Sequence, residues 1–131
     1  MASVIQFPVV TPFLLREIVG SRGGVITDWL LHSPDVRALL RIRVGNLRKS
    51  RRVDWNKTEF RSLGGGLYEI KWNARDVPHR AFGCDHKGCF VLVIGCTHKG
   101  KNYDPRKCKD TARKLISEVK NGQWNTVPFE P

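Results

Sequence analysis

Three β-prone stretches follow one another closely between residues 67 and 96, and they constrain the fold more than any other feature. LYEIKW (67–72) alternates apolar and polar residues, PHRAFGC (78–84) does so more loosely, and CFVLVIGC (89–96) is apolar almost throughout. The link DHKG before the third stretch has the length and the glycine of a hairpin turn. Because short links join antiparallel neighbours, these stretches predict a β-meander with the apolar third strand at its centre.

Helical patterns lie on both sides of this meander. Ser33, Pro34 and Asp35 predict a helix start, with the serine as N-cap and the proline at the first helical position. Asp104-Pro105 repeats that start, and Asn121-Gly122 predicts the end of the second helix. Apolar residues recur at helical spacing in both segments: Val36, Leu39, Leu40, Val44 and Leu47, then Cys108, Ala112, Leu115 and Val119. Upstream of the first helix, Thr27 or Asp28 is expected to cap a short turn through Leu31.

These elements predict an α+β fold, a small antiparallel β-meander with N-terminal helices and a C-terminal helix packed on one of its faces. We expect the domain itself to span residues 27–122. Residues 1–26 then form an N-terminal extension that contains β-prone pieces, and residues 123–131 form an irregular tail.

The length and composition are those of one soluble domain, with 131 residues of which 40% are hydrophobic and 27% charged. No apolar run approaches the roughly 20 residues that cross a bilayer. The start of the chain has no basic residue before Arg16 and contains Pro8 and Pro12, so it is a poor signal peptide. Four cysteines within residues 84–108 do not resemble a secreted disulfide scaffold. We therefore expect a cytoplasmic protein without a membrane partner.

The charge is strongly basic and unevenly distributed. The chain has 23 Lys and Arg against 12 Asp and Glu, a net charge of +11. Residues 1–36 are slightly acidic, whereas residues 37–57 hold eight basic residues against Asp54 alone. A charge run is usually a solvated helix face, but this asymmetry favours a polyanionic partner, nucleic acid ahead of an anionic membrane. The arginines that recur along the first helix are Arg37, Arg41, Arg48 and Arg52.

Several kinds of catalytic and metal site are not indicated. The sequence contains no HExxH or GxSxG motif, and SLGGG (62–66) is not a P-loop because no Lys-Ser/Thr follows it. CDHKGC (84–89) brings two cysteines and a histidine together, but at spacings unlike those of zinc sites. Cys96 would lie roughly 23 Å from Cys89 along one strand. We expect no metal site and no cofactor.

A cationic group remains, and the meander gathers it at one end of the sheet. Lys71, Arg75, His79 and Arg80 lie around the first turn, and His98, Lys99, Lys101 and Tyr103 follow the third strand. Such a group suits metal-free cleavage of RNA by its own 2′-hydroxyl, which needs a proton acceptor, a proton donor and cations that stabilise the phosphorane. The same residues serve plain nucleic-acid contact equally well, and their spacing does not separate the two roles.

The succession of motifs resembles a known family. LGGGLYEIKW, then HRAFG, then FVLVIGCTHKGKNYDP before a basic helix look like the phage-associated, HigB-type branch of the RelE/ParE toxin superfamily. Its members typically show a GLYELR strand, a YRVF strand and an LLHGFxKKxxKxP segment before a final helix. The match covers about residues 27–120.

This resemblance implies a RelE-like toxin fold and ribosome-dependent cleavage of messenger RNA, neutralised by a cognate antitoxin. It implies that Arg80 clamps the phosphate and the transition state, and that His98, Lys99 and Lys101 bind phosphate or transfer protons. Tyr103 would stack on a base or assist, while Glu69 would be structural. Residues expected to contact messenger RNA or ribosomal RNA are Arg37, Arg41, Arg48, Arg52, Lys71, Arg75, His79, Arg106 and Arg113. The alternatives are a non-catalytic, ParE-like inhibitor of gyrase and a basic nucleic-acid-binding phage protein without nuclease activity.

Overall fold

A computed structural model describes residues 14–55 and 58–131, so the expected β-prone piece SVIQF lies outside the described residues. The strands are β1 (Leu14–Gly20), β2 (Gly23–Gly24), β3 (Phe60–Gly64), β4 (Leu67–Ala74), β5 (Val77–His86), β6 (Cys89–Lys99), β7 (Asn102–Asp104) and β8 (Thr126–Pro128). The α-helices are α1 (Val25–Trp29), α2 (Pro34–Leu47) and α3 (Cys108–Lys120), and a 3₁₀ turn spans Arg52–Asp54.

The predicted meander forms the middle of a larger sheet, whose strand order is β2-β1-β6-β5-β4-β3. Strands β4, β5 and β6 pair antiparallel as expected, but the middle strand of the meander is β5 and not the apolar third strand. Strand β6 is central only in the larger sheet, because β1 pairs with its other edge. The hairpin turn between β5 and β6 consists of Lys87 and Gly88, both with positive φ. Strand β1 lies parallel to β6, while β7 pairs with the end of β6 and β8 pairs with β1.

Helices cover both faces of the sheet, so the prediction that they would share one face is wrong. Val91 and Val93 of β6 belong to the hydrophobic cluster that contains the buried side of α3. Phe90 and Leu92, which point the opposite way, belong to the cluster that contains α1 and α2. The physical reason is the apolar β6 itself, since a strand that is hydrophobic on both faces must be covered on both.

Helix α2 begins as predicted, with Pro34 at its first position and Ser33 as N-cap, although the serine side chain makes no capping hydrogen bond. The expected cap of the short upstream helix is wrong, because α1 begins at Val25 and Glu17 of β1 caps it. The buried Glu17 carboxylate accepts hydrogen bonds from the backbone N–H groups of Ile26 (2.8 Å) and Thr27 (2.9 Å). A Cβ at Gly24 would overlap this carboxylate, so the N-cap position requires glycine.

Helix α3 begins later than predicted. Its first residue is Cys108, whereas Asp104, the expected N-cap, lies in strand β7. The buried side of the helix consists of Cys108, Ala112, Ile116 and Val119, with Leu115 only partly buried. The expected end at Asn121 is confirmed.

Both ends of the described chain belong to the sheet. The boundaries expected at residues 26 and 123 separate β1 and β8 from the domain, yet β1 pairs with β6 and β8 pairs with β1. Phe129, in the expected irregular tail, is fully buried in the core beside α2. Among the helices of the described residues, none is long and apolar enough to cross a membrane.

Candidate functional site

The register of the central strands brings several of the expected site residues to one face. Lys71 of β4 lies opposite Arg80 of β5, and Arg80 lies opposite Cys96 of β6. One row nearer the core, Glu69 lies opposite Phe82, which packs in the cluster beneath α3. Because side chains alternate along a strand, Glu69, Lys71 and Arg80 share the face that carries α3.

A fully buried carboxylate organises this face. Glu69 Oε1 accepts a hydrogen bond of 3.0 Å from Arg61 Nε and forms an ion pair with Arg61 Nη2 at 2.6 Å. Its other oxygen, Oε2, accepts a hydrogen bond of 3.1 Å from the Tyr103 hydroxyl and lies 3.9 Å from Arg80 Nε. The ring of His98 meets the ring of Tyr103 edge to face, with centroids 4.5 Å apart. We call Arg61, Glu69, Arg80, His98 and Tyr103 the Glu69 cluster.

The two rings of the cluster have opposite protonation tendencies. Burial, followed by the negative charge of Glu69, raises the pKa of Tyr103 to about 12, so the hydroxyl stays protonated and donates to the carboxylate. Burial, followed by the positive charge of Arg80, lowers the pKa of His98. His98 Nε2 is enclosed without a hydrogen-bond partner, which also disfavours the charged ring. His98 is therefore a neutral imidazole at pH 7, able to accept a proton.

Arg80 is held at the inner edge of the cluster. Its Nη1 donates a hydrogen bond of 2.9 Å to the carbonyl of His79, and 11% of its side chain is exposed. Lys71 beside it is half-buried, whereas Lys99 and Lys101 are exposed around the turn between β6 and β7. The expected catalytic residues thus form two groups. Arg80, His98 and Tyr103 are at least partly buried on the sheet, whereas Lys99 and Lys101 have exposed side chains at its edge.

His79 is separated from the cluster, although it adjoins Arg80 in sequence. It is buried on the opposite face, stacked on Trp72 with ring centroids 5.5 Å apart and packed against Trp29 at 6.0 Å. Its Nδ1 lies 2.9 Å from the carbonyl oxygen of Val77, and burial lowers its pKa. This position gives His79 a role in packing α1 on the sheet and places it away from any RNA bound at Arg80.

The arginines of α2 contact the end of the chain. Arg37 donates to the carbonyl of Glu130 at 2.9 Å, and Arg41 donates to the carbonyl of Pro131 at 2.8 Å. Both terminal nitrogens of Arg48 reach the Glu130 carboxylate, at 3.2 and 3.3 Å. These three arginines are therefore together on one surface, and Glu130 already neutralises part of their charge.

Arg52, the last member of that series, is directed elsewhere. Its Nε and Nη2 donate to the two carboxylate oxygens of Asp85, at 3.0 and 2.9 Å. Its guanidinium carbon lies 4.4 Å from the ring centroid of Phe60 and 4.6 Å from that of Tyr68. Arg52 therefore lies in an aromatic environment, and only 16% of its side chain is exposed.

The other expected RNA contacts lie around the periphery. Arg75 pairs with Asp35 through two hydrogen bonds of 2.5 and 2.6 Å, and these hold the pKa of Asp35 below its usual value. Arg113 of α3 donates to the carbonyls of Gly64 and Leu63, so it fastens the helix to the turn between β3 and β4. Arg106 is exposed just after β7.

The buried cysteines do not provide a nucleophile. The hydrogen bond between Cys96 and Cys108, followed by burial, raises the pKa of Cys96. Burial raises the pKa of Cys84 to about 11. Because the thiolate is the reactive form, these two side chains are packing residues at neutral pH.

Arg61 is the member of the cluster that the sequence analysis missed. It lies on the short edge strand β3, directly opposite Glu69. The sequence contains a sign of this pairing. A hairpin turn centred on Gly65 of the SLGGG loop would place residue 61 opposite residue 69. The stretch FRSLG has too little β-prone character to be predicted as a strand. Glu69, which was expected to be structural, forms its ion pair with this arginine.

The arrangement combines a neutral imidazole, a tyrosine that stays protonated and the largely buried Arg80 side chain, with lysines nearby. The Glu69 carboxylate is fully enclosed and its charge faces Arg61 and Arg80, so the side of the cluster open to solvent is cationic. Such a site can bind a phosphodiester and move a proton beside it. Comparison of the chain with protein-family models, with curated proteins and with solved structures finds no match.

Proposed function

We propose that this protein is the toxin of a toxin–antitoxin system, a ribosome-dependent endoribonuclease with a RelE-like fold. The observation that carries the proposal is the Glu69 cluster, in which a neutral histidine and a largely buried arginine lie on one face beside an enclosed carboxylate. The motif succession of residues 27–120 supports the same family. A strand parallel to the last meander strand, followed by two helices before the meander, is compatible with it.

In the proposed reaction the RNA supplies its own nucleophile. Because Nε2 of His98 is enclosed, Nδ1 is the nitrogen that takes the proton of the 2′-hydroxyl. The 2′ oxygen attacks the adjacent phosphorus, and the bond from phosphorus to the 5′ oxygen breaks. Lys99 or Lys101 donates a proton to that leaving oxygen. The products are a 2′,3′-cyclic phosphate and a free 5′-hydroxyl.

The cations of the site stabilise the transition state of this step. Arg80 faces the extra negative charge that develops on the non-bridging phosphate oxygens, and Lys71 adds a second positive charge in the same row of the sheet. Tyr103 stays protonated and hydrogen-bonded to Glu69, so we assign it to positioning the His98 ring. Glu69 fixes Arg61 and Tyr103 and does not itself transfer a proton.

The proposed partners are translated messenger RNA, ribosomal RNA and a cognate antitoxin, and the place of action is the cytoplasm. The net charge of +11 supports a polyanionic partner. The arginine surface of α2 is the candidate contact with ribosomal RNA.

Primer extension on a translated messenger RNA tests this function, with purified protein in the presence and absence of ribosomes. We expect cuts that require ribosomes and are lost in Arg80→Ala. The matched control is Arg51→Ala, which removes the same charge at an exposed position paired with Asp54 and outside the cluster. Intact messenger RNA in all reactions would contradict nuclease activity, and a gyrase supercoiling assay would then test the ParE-like alternative.

A further inference from the structure

A second concave site lies close to the Glu69 cluster, on the other side of edge strand β3. It is a cavity of about 670 Å³, within the range of about 300–1,000 Å³ that is usual for small-molecule sites. The proposed cleavage chemistry leaves this cavity unused. Its lining combines aromatic rings with charged groups, among them Arg52, Trp55, Phe60, Arg61, Tyr68 and Asp85.

A flat cationic surface forms part of the cavity lining. The Arg52 guanidinium is oriented by the two hydrogen bonds to Asp85 and lies within 4.4–5.5 Å of four aromatic ring centroids. Val53, also in the lining, is 80% exposed. Guanidinium planes and aromatic rings are the surfaces on which unpaired RNA bases stack.

The cavity is connected to the proposed cleavage site through Arg61. Arg61 is one of the residues that line the cavity, and its side chain donates to Glu69 Oε1 on the other face of the sheet. Arg61 and its neighbours Phe60 and Ser62 lie on edge strand β3, which separates the cavity from the Glu69 cluster. An RNA strand that passes over this edge would place a phosphate at the Glu69 cluster and a base in the cavity, and the Arg61 side chain there is 48% exposed.

We infer that this cavity is a subsite for one unpaired nucleobase of the RNA substrate, stacked against Arg52 and selected by Asp85. The inference deepens the proposed function and rests on it. Asp85 is 47% exposed and keeps acceptor capacity beyond its bonds to Arg52, so it favours bases with an exocyclic amino group over uracil. The subsite thereby gives the cleavage a sequence preference.

Fluorescence titration of the intact protein without ribosomes tests the subsite. The probe is a single-stranded RNA pentamer with one central 2-aminopurine, and its counterpart carries an abasic residue at that position with the same number of phosphates. We expect quenching of the 2-aminopurine on binding and about 10-fold weaker binding of the abasic pentamer, since it loses the stacking of one base. Equal affinity for the two pentamers would overturn the inference.

Paired variants then locate the effect. Arg52→Lys keeps the charge and removes the planar group, whereas Arg51→Lys makes the same change at a neighbouring residue that is 72% exposed. We expect the base-dependent part of the affinity to be lost in Arg52→Lys alone. A thermal melt verifies that Arg52→Lys is folded, and wild-type base discrimination in the folded variant would overturn the inference.

Asp85→Asn provides an independent variant at the cavity, because it changes the acceptor without removing Arg52. A pentamer with central adenine should bind the wild-type protein more tightly than one with central uracil, and this preference should shrink in Asp85→Asn. An unchanged preference would contradict the role of Asp85.

The results distinguish a wrong assignment of the subsite from a wrong assignment of the nuclease activity. Arg80→Ala should weaken the binding of both pentamers by a similar factor and keep the difference between them, since Arg80 lies in the Glu69 cluster and does not line this cavity. Base-dependent binding without ribosome-dependent cuts would reject the nuclease and retain the subsite. Cuts that occur without any base-dependent binding would reject the subsite and retain the nuclease.

Discussion

Glu69 is the residue on which the candidate site depends structurally. It is fully buried, and its partners come from three strands besides its own: Arg61 of β3, Arg80 of β5 and Tyr103 of β7. A buried carboxylate is tolerated only where hydrogen bonds and opposite charges replace its hydration. Glu69 therefore links the edge strand, the meander and the β6–β7 turn at one point.

Glu69→Gln should destabilise the protein, because it leaves Arg61 and Arg80 without a counter-charge. Breaking a fully buried ion pair costs about 3–5 kcal/mol, and we expect about 2 kcal/mol here since Arg61 is 48% exposed. Urea unfolding measures this loss. Glu118→Gln, whose amide can still accept from Trp124, is the control and should change the free energy of unfolding by less than about 0.5 kcal/mol. An equal, small effect of both substitutions would contradict the structural role of Glu69.

His98 determines the expected pH dependence of cleavage. Its pKa lies below the ordinary value of 6.5, so the base form that accepts the 2′-hydroxyl proton persists into mildly acidic solution. The rate should therefore rise with pH and reach its plateau with a midpoint below pH 6.5, measured as kcat/KM for ribosome-dependent cleavage. His98→Gln should abolish this acidic limb together with most of the rate. His32→Gln, at an exposed position, should leave the profile unchanged, and an acidic limb that survives in His98→Gln would assign the base elsewhere.

Helix α1 is held on the sheet by close contact with Gly95 of β6. A Cβ at this position would overlap the Trp29 ring, which also packs against Trp72 and His79. Gly95→Ala must therefore displace α1 or bend the strand, and overpacking of this kind costs about 1–3 kcal/mol. Thermal unfolding should show a lower Tm.

Gly45→Ala is the matched control for this substitution. Gly45 lies inside α2 and a Cβ there meets nothing within 4 Å, so alanine should stabilise the helix by about 0.5–1 kcal/mol. Opposite signs for the two substitutions are the expected result. A Gly95→Ala protein as stable as the wild type would mean that α1 does not pack on the sheet as described.

The elements that could be predicted from the sequence are those determined by interactions between residues close together in the chain. Alternation and short links were sufficient for β4, β5 and β6, and the Ser33-Pro34 start was sufficient for α2. Contacts between distant residues decided the rest. The N-terminus of α1 is capped by Glu17, which lies on strand β1. One face of β6 is covered by α3, which follows the central strands in the sequence.

The candidate site shows the same division. Lys71, Arg80 and His98 share a face because their strands pair in register, which the meander made predictable. His79 adjoins Arg80 and so must point to the opposite face, a consequence of strand alternation that the cationic grouping disregarded. Arg61 depended on a strand that only tertiary pairing with β4 reveals.

At the scale of the whole molecule, the basic surface is partly neutralised from within. Arg37, Arg41 and Arg48 all contact Glu130 or Pro131, so the last residues of the sequence cover the arginine surface of α2. The Glu130 side chain is itself largely exposed, at 76%. An exposed ion pair of this kind contributes roughly 0–1 kcal/mol to stability, so a polyanion can displace Glu130 at little cost.

Substitution of Glu130 should therefore change how steeply the affinity for ribosomes falls with salt concentration. If the arginine surface contacts ribosomal RNA, affinity falls steeply with salt, and Glu130→Gln adds about one effective cation to the contact. The plot of log K against log salt concentration should then steepen by about 0.7–0.9, measured by co-sedimentation with ribosomes. Glu118→Gln on α3 changes the net charge by the same amount at a distance from these arginines, and it should leave the slope unchanged. Equal slopes in the two variants would assign the effect to net charge alone, and an affinity insensitive to salt would exclude this surface as the contact with ribosomal RNA.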